Sequence, residues 1–456
     1  MDNEILTGAG QITFDDILLV NSDSNVLDLK TFMVEFILYE DIFANCLTAK
    51  MLISDGIDLV SNFPIRGNEL VVIKFRTPTY VDAPANIIEK QFRVYSVTDR
   101  FNNNDTQSYY TLQLISVEGY SDLQITVNGS LKGNTDEVAA SVYQDYISLD
   151  RRFDDPGRKT PLYISDSPHS SKIKYTSNFW SPFKNMNFIS KRVRGGKLQG
   201  SDYLFFESNK GFYFSSVEAL IEKGQKFGML DEYVYEPVEE TFPRRADGLK
   251  YTGNVLPPAF TKIDSFQMPK TVDIIEGTMT GYFANAIRGY DLTTKKLTES
   301  TFDFVDQAKA FVRTSEGIPI PDDVRGNPMM HTEFVVFNTN LYTDYGTTDN
   351  SELPNGHPAE FYTDRIQYRK SYLSGLDHFK FTINIPGRTD IEVGQLINLK
   401  YLSPRSKTTE DDEGTVLDPY LSGPYIITAL KHTIKYDKHS ITAEIVKNGL
   451  NLDLSE

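Results

Sequence analysis

A mainly β (α+β) chain, with two tandem copies of one small antiparallel β-barrel and a small α/β unit inserted between them, is the fold this sequence predicts. Three observations carry the prediction. Aromatic and β-branched residues recur in short alternating runs, turn residues punctuate those runs, and a stretch of the pattern near the N-terminus returns near the C-terminus. The chain has 456 residues, with 26 Tyr and 29 Phe against one Trp. Aromatics beside Val, Ile and Thr at a period of two suit a pleated, half-buried surface. At this length one hydrophobic core does not suffice, and roughly three domains are expected. A hydrophobic fraction of 40% and a charged fraction of 24% exclude a chain disordered throughout.

From Thr31 to Thr126 nearly every segment reads as strand. Met33 to Tyr39, Leu47 to Ile53, Leu70 to Phe75, Phe92 to Val97 and Tyr109 to Ile115 alternate or run apolar. Asp55-Gly56, Gly67-Asn68, Pro78 and Asn102-Asn103-Asn104-Asp105 separate them as turns. Strands so punctuated make a small antiparallel barrel or sandwich.

The same order returns late in the chain. Segment 69–78, ELVVIKFRTP, aligns without a gap on 395–404, QLINLKYLSP, keeping Leu, Lys and Pro. Gly67 and Gly394 lie just upstream, and Gly56 and Gly387 close the preceding strands. Downstream, Phe92 to Val97 answers Tyr425 to Leu430, and Thr111 to Ile115 answers Thr442 to Val446. Four strands in one order with similar spacing indicate a duplicated β-domain.

Between the copies the period changes. Thr135 is placed to cap a helix whose Val138, Val142, Tyr146 and Leu149 share one face. Ser181-Pro182 puts a cap and a first-turn proline before Phe183, Met186, Ile189 and Val193. A hairpin follows, with Tyr203 to Phe206 and Phe212 to Phe214 joined by Ser208-Asn209-Lys210-Gly211. Residues 232–305 return to strand patterns around a short helix capped at Pro269. A helix from about Ala359 to Leu376, with Tyr362, Ile366, Leu373 and Leu376 on one face, leads into the second copy. The expected domains are 1–127, a first barrel; 128–225, the small α/β domain; 226–305 with 359–456, the second barrel and its connecting elements; and 306–358, a loop-rich insertion. The acidic run Glu410-Asp411-Asp412-Glu413-Gly414 reads as a solvated loop.

Catalytic constellations are missing from the sequence. The histidines are His169, His331, His357, His378, His432 and His439, and none stands at HxxxH or HExxH spacing. His432 and His439 flank a predicted hairpin and can approach across strands, which reads as a surface pair. No GxSxG occurs, and the single Cys46 has no nearby His to activate it, so it reads as a small buried apolar residue. Gly195-Gly196-Lys197 is followed by Leu198 where a phosphate loop needs Ser or Thr, and reads as a turn closing the preceding helix. Asp15-Asp16 and Asp154-Asp155 are acid pairs of the kind that serve glycoside hydrolysis, but with 63 acidic residues such pairs arise by chance. No catalytic, cofactor-binding or metal-binding residue is assigned, no cofactor is expected, and the chain reads as no enzyme.

The net charge is −17, from 63 acidic and 46 basic residues, which argues against binding nucleic acid through its phosphates. It is compatible with letting DNA pass, since an acidic wall repels a duplex over a Debye length of about 8 Å. The opening MDNEILTGAG has neither the basic nor the apolar region of a signal peptide, and no apolar run approaches the roughly 20 residues that span a bilayer. Synthesis in a cytoplasm without a membrane anchor is expected.

The chain resembles the baseplate hub family of contractile phage tails, shared with the amino-terminal part of secretion-system spike proteins. The resemblance is carried by DIFANCLTAKMLISDGIDLVSNFPIRGNELVVI, by SNFWSPFKNMNFISKRV with SDYLFFESNKGFYFSSVEAL, and by FTINIPGRTDIEVGQLINLKYLSP with GPYIITALKHTIKYDKHSITAEIVK. It spans roughly residues 30–300 and 360–450. It implies that both barrels are tube-like and that three chains set six similar units around a ring, matching a six-fold tail tube to a three-fold spike. The implied partners are two further copies of the chain, the tail tube protein, a spike on a separate polypeptide, and tape-measure and baseplate wedge proteins. DNA passes through without specific binding, and the implied place is the baseplate of the virion, assembled in the host cytoplasm. Two other readings stay open: a phage adhesin displaying Tyr and Phe to glycans, and a cell-wall hydrolase.

Overall fold

The computed structural model describes residues 8–450 apart from 60–62, 64, 79–85, 105–106, 149–158, 166–171, 194–200, 228–231, 236–259, 271–272, 308–310, 318–326, 338–357, 403–416 and 419. The architecture is mainly β. Its first part is β1 (Thr13–Val20), β2 (Val26–Asp28), β3 (Met33–Asp41), β4 (Thr48–Asp55), β5 (Leu70–Arg76), β6 (Ile87–Asn104) and β7 (Gln107–Ser116). Alternation places Ala49, Met51 and Ile53 of β4 inward while Thr48 and Lys50 face out. Phe36, Phe75, Phe92 and Tyr110 meet these residues in one buried cluster.

The middle part holds α1 (Val117–Asp122), β8 (Val127–Asn134), α2 (Thr135–Val142), β9 (Leu162–Ile164), β10 (Lys172–Trp180), α3 (Pro182–Ser190), β11 (Tyr203–Glu207), β12 (Phe212–Ser216) and α4 (Val217–Phe227). β8 pairs with β10, and β12 pairs antiparallel with β11 and parallel with β9. Ser181 caps α3 as expected, its hydroxyl accepting the Lys184 N–H at 3.3 Å ahead of Pro182. The cap of α2 differs from expectation. Asn134 precedes the helix, and the Glu137 carboxylate accepts its N–H at 3.4 Å, while Thr135 is the first helical residue and buried. The Glu three places after Asn134 identifies the cap. The helix runs on into a π-helical turn over Tyr143–Ile147. Of the residues expected on one face, Val138 and Val142 are buried, Tyr146 is half-buried, and Leu149 lies outside the described residues.

The last part holds β13 (Glu232–Tyr235), β14 (Ser265–Lys270), α5 (Ile274–Thr280), β15 (Ala284–Asp291), β16 (Leu297–Asp303), α6 (Phe304–Gln307), β17 (Thr332–Phe337), α7 (Pro358–Gly375), β18 (Lys380–Pro386), β19 (Leu396–Tyr401), β20 (Gly423–Lys435) and β21 (Lys438–Val446). Pro269 does not cap a helix. It sits within β14 at a register shift, where a strand that ends its sheet tolerates a residue without an N–H. Asp273 caps α5 by accepting the Glu276 N–H at 2.9 Å. Of the apolar face expected for α7, Leu376, just past the helix end, is buried and the Tyr362 side chain lies outside the described residues, but the other buried positions are mostly polar. Arg365, Gln367, Ser371 and Tyr372 are buried, while Ile366 and Leu373 are only half-buried. Gln367 donates to Ser300 O at 3.0 Å, Ser371 to Tyr282 O at 2.9 Å and Tyr372 to Val312 O at 2.9 Å. The helix thus serves exposed carbonyls of neighbouring segments, a polar demand that apolar periodicity does not register.

The strand pairing of the two β parts repeats. β4 pairs with β7, β7 with β6 and β6 with β5; β18 pairs with β21, β21 with β20 and β20 with β19. Finer bonds repeat too. Val94 N donates to Glu69 O and Ile427 N to Gln395 O, each at 2.9 Å. The Glu69 side chain accepts Arg66 N at 2.5 Å, and the Gln395 side chain accepts Glu392 N at 3.0 Å. Gly67 and Gly394 both take positive φ, 93° and 84°, at the turn before the shared strand, which explains a glycine there in each copy. One antiparallel ladder between β20 and β3 welds the copies into a single sheet.

Candidate functional site

The weld between β3 and β20 holds a set of buried polar groups. Glu40 lies on β3, His432 on β20 and His439 on β21, and all three are buried. His432 Nδ1 and His439 Nε2 are 3.0 Å apart, and His432 Nε2 lies 3.2 Å from Glu40 Oε1. The predicted approach of the two histidines is therefore found, but the pair is not on the surface. β3, almost the whole chain length away in sequence, pairs beside β20 and brings Glu40 to His432, while Phe75 packs edge-on against His439 with ring centres 6.2 Å apart. Burial, and then the neighbouring His432 ring, push the His439 pKa well below the usual histidine value. The three groups form a line, with a hydrogen bond between the two rings and a close approach of Glu40 to His432, so they have no common centre for an ion. Among the described residues no cluster of three or more His, Cys, Asp and Glu is placed to hold a metal.

A second element locks the weld. The turn Ser208 to Gly211 joins β11 and β12 as expected, and its Ser208 and Asn209 are buried between the two β copies. Toward the first copy, Lys90 Nζ donates to Glu207 at 3.0 Å and to Ser208 O at 2.8 Å, Glu40 accepts Asn209 N at 3.2 Å, and Glu207 accepts Leu47 N at 3.0 Å. Toward the second, Ser208 Oγ donates to Glu392 at 2.8 Å, Asn209 Nδ2 donates to Ile391 O at 2.7 Å, and Tyr213 OH lies 3.2 Å from Glu392. The Glu207 pKa is raised by burial, with Lys90 pulling the other way and Glu118 adding to the rise. Thr77 and Thr389 add a direct link between copies, each backbone N–H reaching the other's hydroxyl at 3.1 Å. These bonds make a polar bolt between the two repeated sets of strands, each side chain turned toward protein groups.

The other sequence candidates are dispersed. Cys46 is half-buried with its thiol pushed up to about 12 by burial and then Glu207, Asp122 and Glu118, which leaves it unreactive. Asp15 pairs with Arg76 at 3.4 Å. His331 lies 3.2 Å from Glu333, and His378 stacks on Tyr282 with ring centres 4.4 Å apart. His169, His357, Asp154-Asp155, Gly195-Gly196-Lys197 and the acidic run Glu410 to Glu413 lie outside the described residues. The bolt residues Glu40, Lys90, Glu207 and Glu392 escaped sequence reasoning. Their one signal was a charge among apolar residues, on strands for Glu40, Lys90 and Glu207 and in the turn before β19 for Glu392, where a charged residue reads as the solvent face.

The fold has known likenesses. The tail protein from Neisseria meningitidis MC58 matches 95% of this chain over 97% of its own, with a TM-score of 0.51 at 8% identity. The 43 kDa tail protein of prophage MuSo2 from Shewanella oneidensis matches 95% over 98%, with a TM-score of 0.51 at 6% identity. No family model matches the sequence, and no curated protein does.

Proposed function

We propose that this chain, which has the fold of phage tail proteins, is the structural hub of a contractile tail's baseplate. In this reading three copies form a ring that joins a six-fold tail tube to a three-fold spike carried on another polypeptide, with tape-measure and wedge proteins as neighbours. The observation that carries it is the repeated pairing β4-β7-β6-β5 and β18-β21-β20-β19, because two like barrels in each of three chains present six like units. The polar bolt supports the same reading, since it holds the two barrels in one fixed relation, as a ring requires. The hub works by position and not by chemistry.

In the assembled ring DNA passes through the lumen, and the inner wall is acidic or neutral. A basic wall would release counterions from DNA and hold it. The test is light scattering of the purified chain, alone and with its spike, combined with the rotational symmetry of particle images. Trimers with six similar outer lobes are expected, and a monomer under both conditions refutes the hub. A clear excess of Lys and Arg lining the channel of such a ring refutes the acidic lumen and leaves the hub standing.

A further inference from the structure

The weld between copies uses a strand edge that exists twice in the chain and is covered once. In β20 the leading residues Gly423 to Ile426 pair with β19, and the trailing residues Ala429 to Lys435 pair along the same edge with β3, from Asp41 to Glu35. In β6 the leading residues Ile87 to Arg93 pair with β5 in the equivalent way. No strand among the described residues pairs with that edge from Ser96 to Asn102. Its side chains include Val97 and Phe101, which are 37% and 56% exposed. A long edge bearing exposed apolar side chains is what isolated sheets avoid.

The matching edge also exists twice. β3 pairs with β4, and β14 pairs with β18 in the equivalent place. β3 is covered by β20, whereas β14 ends its sheet. Met268 on β14 and Ile274 and Ile275 just beyond it are exposed. Among the described residues, one pair of these edges is used and one is not, at corresponding places in the two copies.

We propose that the trailing half of β6 in one chain pairs antiparallel with β14 of a second copy of this chain, repeating the β20–β3 weld between molecules. The register follows from the repeat. Thr433 pairs with Ser440, and Phe101 pairs with Tyr109 at the equivalent place. Ile37 pairs with Lys50, and Gln267 pairs with Thr382 at the equivalent place. Since Thr433 pairs with Ile37 inside the chain, Phe101 faces Gln267 of the next copy, and by the same count Asn102 faces Phe266. Pro269 has no N–H to give, so Ser265 to Gln267 carry most of the contact. Each chain offers one edge of each kind, so the interface is head-to-tail and closes only as a ring. The inference rests on the ring reading above and adds to it which edges meet and in which register.

The test uses the full chain. Phe101→Cys with Gln267→Cys places thiols on directly opposed residues, within the Cα separations a disulfide spans. Oxidation is expected to link chains through these two positions, identified by peptide mass spectrometry, while neither single variant links. Separately, Val97→Lys with Phe101→Lys charges an already exposed edge; Phe101 stacks on Tyr109 with ring centres 5.4 Å apart, so the variant is checked by circular dichroism to be folded at the assay temperature. It is expected to weaken association at least about tenfold, or ~1.4 kcal/mol. If the native chain forms rings, but the cysteine pair does not link or the lysine variant assembles normally, the strand pairing is wrong and the hub reading survives. A chain that stays monomeric with and without its spike overturns both.

Discussion

Lys90→Met tests whether the bolt between the barrels and the β11–β12 hairpin is a matched set of charges. Lys90 and Glu207 are 6% and 1% exposed, and the lysine also serves Ser208 O. Removing it leaves the Glu207 carboxylate buried with the Leu47 N–H as its remaining donor among those described here, and leaves Ser208 O short of a donor. Breaking one side of a buried pair costs about 3–5 kcal/mol. With a urea slope of roughly 3 kcal/mol/M, the midpoint followed by circular dichroism falls by about 1–1.7 M. The cost depends on pH. Lys90 pulls the Glu207 pKa down against a rise caused by burial, so its loss raises the folded-state value further above the ordinary 4.5. A carboxyl whose folded pKa is raised adds stability below its unfolded pKa and loses it as pH rises through the folded one. The deficit of Lys90→Met is therefore largest at neutral and alkaline pH and narrows toward about pH 5. Adding Glu207→Gln removes the stranded charge and keeps an acceptor for Leu47 N, so the double variant recovers most of the loss. A single variant within about 0.3 M of the native midpoint, or a double variant no better than the single, refutes the account.

Other consequences are open to simpler measurements. A Cβ at Gly387 would lie 2.0 Å from the buried His439 ring, so Gly387→Ala is expected to cost at least about 1–3 kcal/mol by overpacking; a native melting temperature would contradict the packing at the weld. His439 has a folded pKa well below 6.5, so it contributes stability that is present above the unfolded value and is lost as pH falls below it. The native chain should therefore lose stability relative to His439→Gln on acidification from about pH 7, and parallel pH profiles would exclude His439 as the cause. Ser181→Ala removes the cap of α3 and should cost about 1 kcal/mol; no change in midpoint would mean the cap carries nothing. The purified chain is expected to hydrolyse neither peptidoglycan nor polysaccharide, and turnover abolished by one carboxylate substitution would defeat the structural reading.

Local rules were enough for much of this protein. The inward residues of β4, the Ser181-Pro182 start of α3 and the hairpin from Tyr203 to Phe214 follow from alternation, capping and turn chemistry within a few residues of each other. The duplication was legible because one barrel topology imposes one order of strands and turns wherever it occurs. Tertiary structure decided what covers what. The same local signal, a turn of Ser, Asn, Lys and Gly, marks a surface loop in most proteins and here fills the gap between two barrels. His432 and His439 were recognisable as neighbours, yet they are packed against Glu40 of β3 and Phe75 of β5, which no rule of spacing connects to them. Pro269 lies in β14 and not at a helix start because β14 is an edge strand, and edges are a property of the finished sheet, whereas the Asp273 cap of α5 was a local signal that the reading passed over. Alternation reports which way a side chain points, but whether that face or edge meets water, a neighbouring strand or another molecule is set by contacts between residues far apart in the chain.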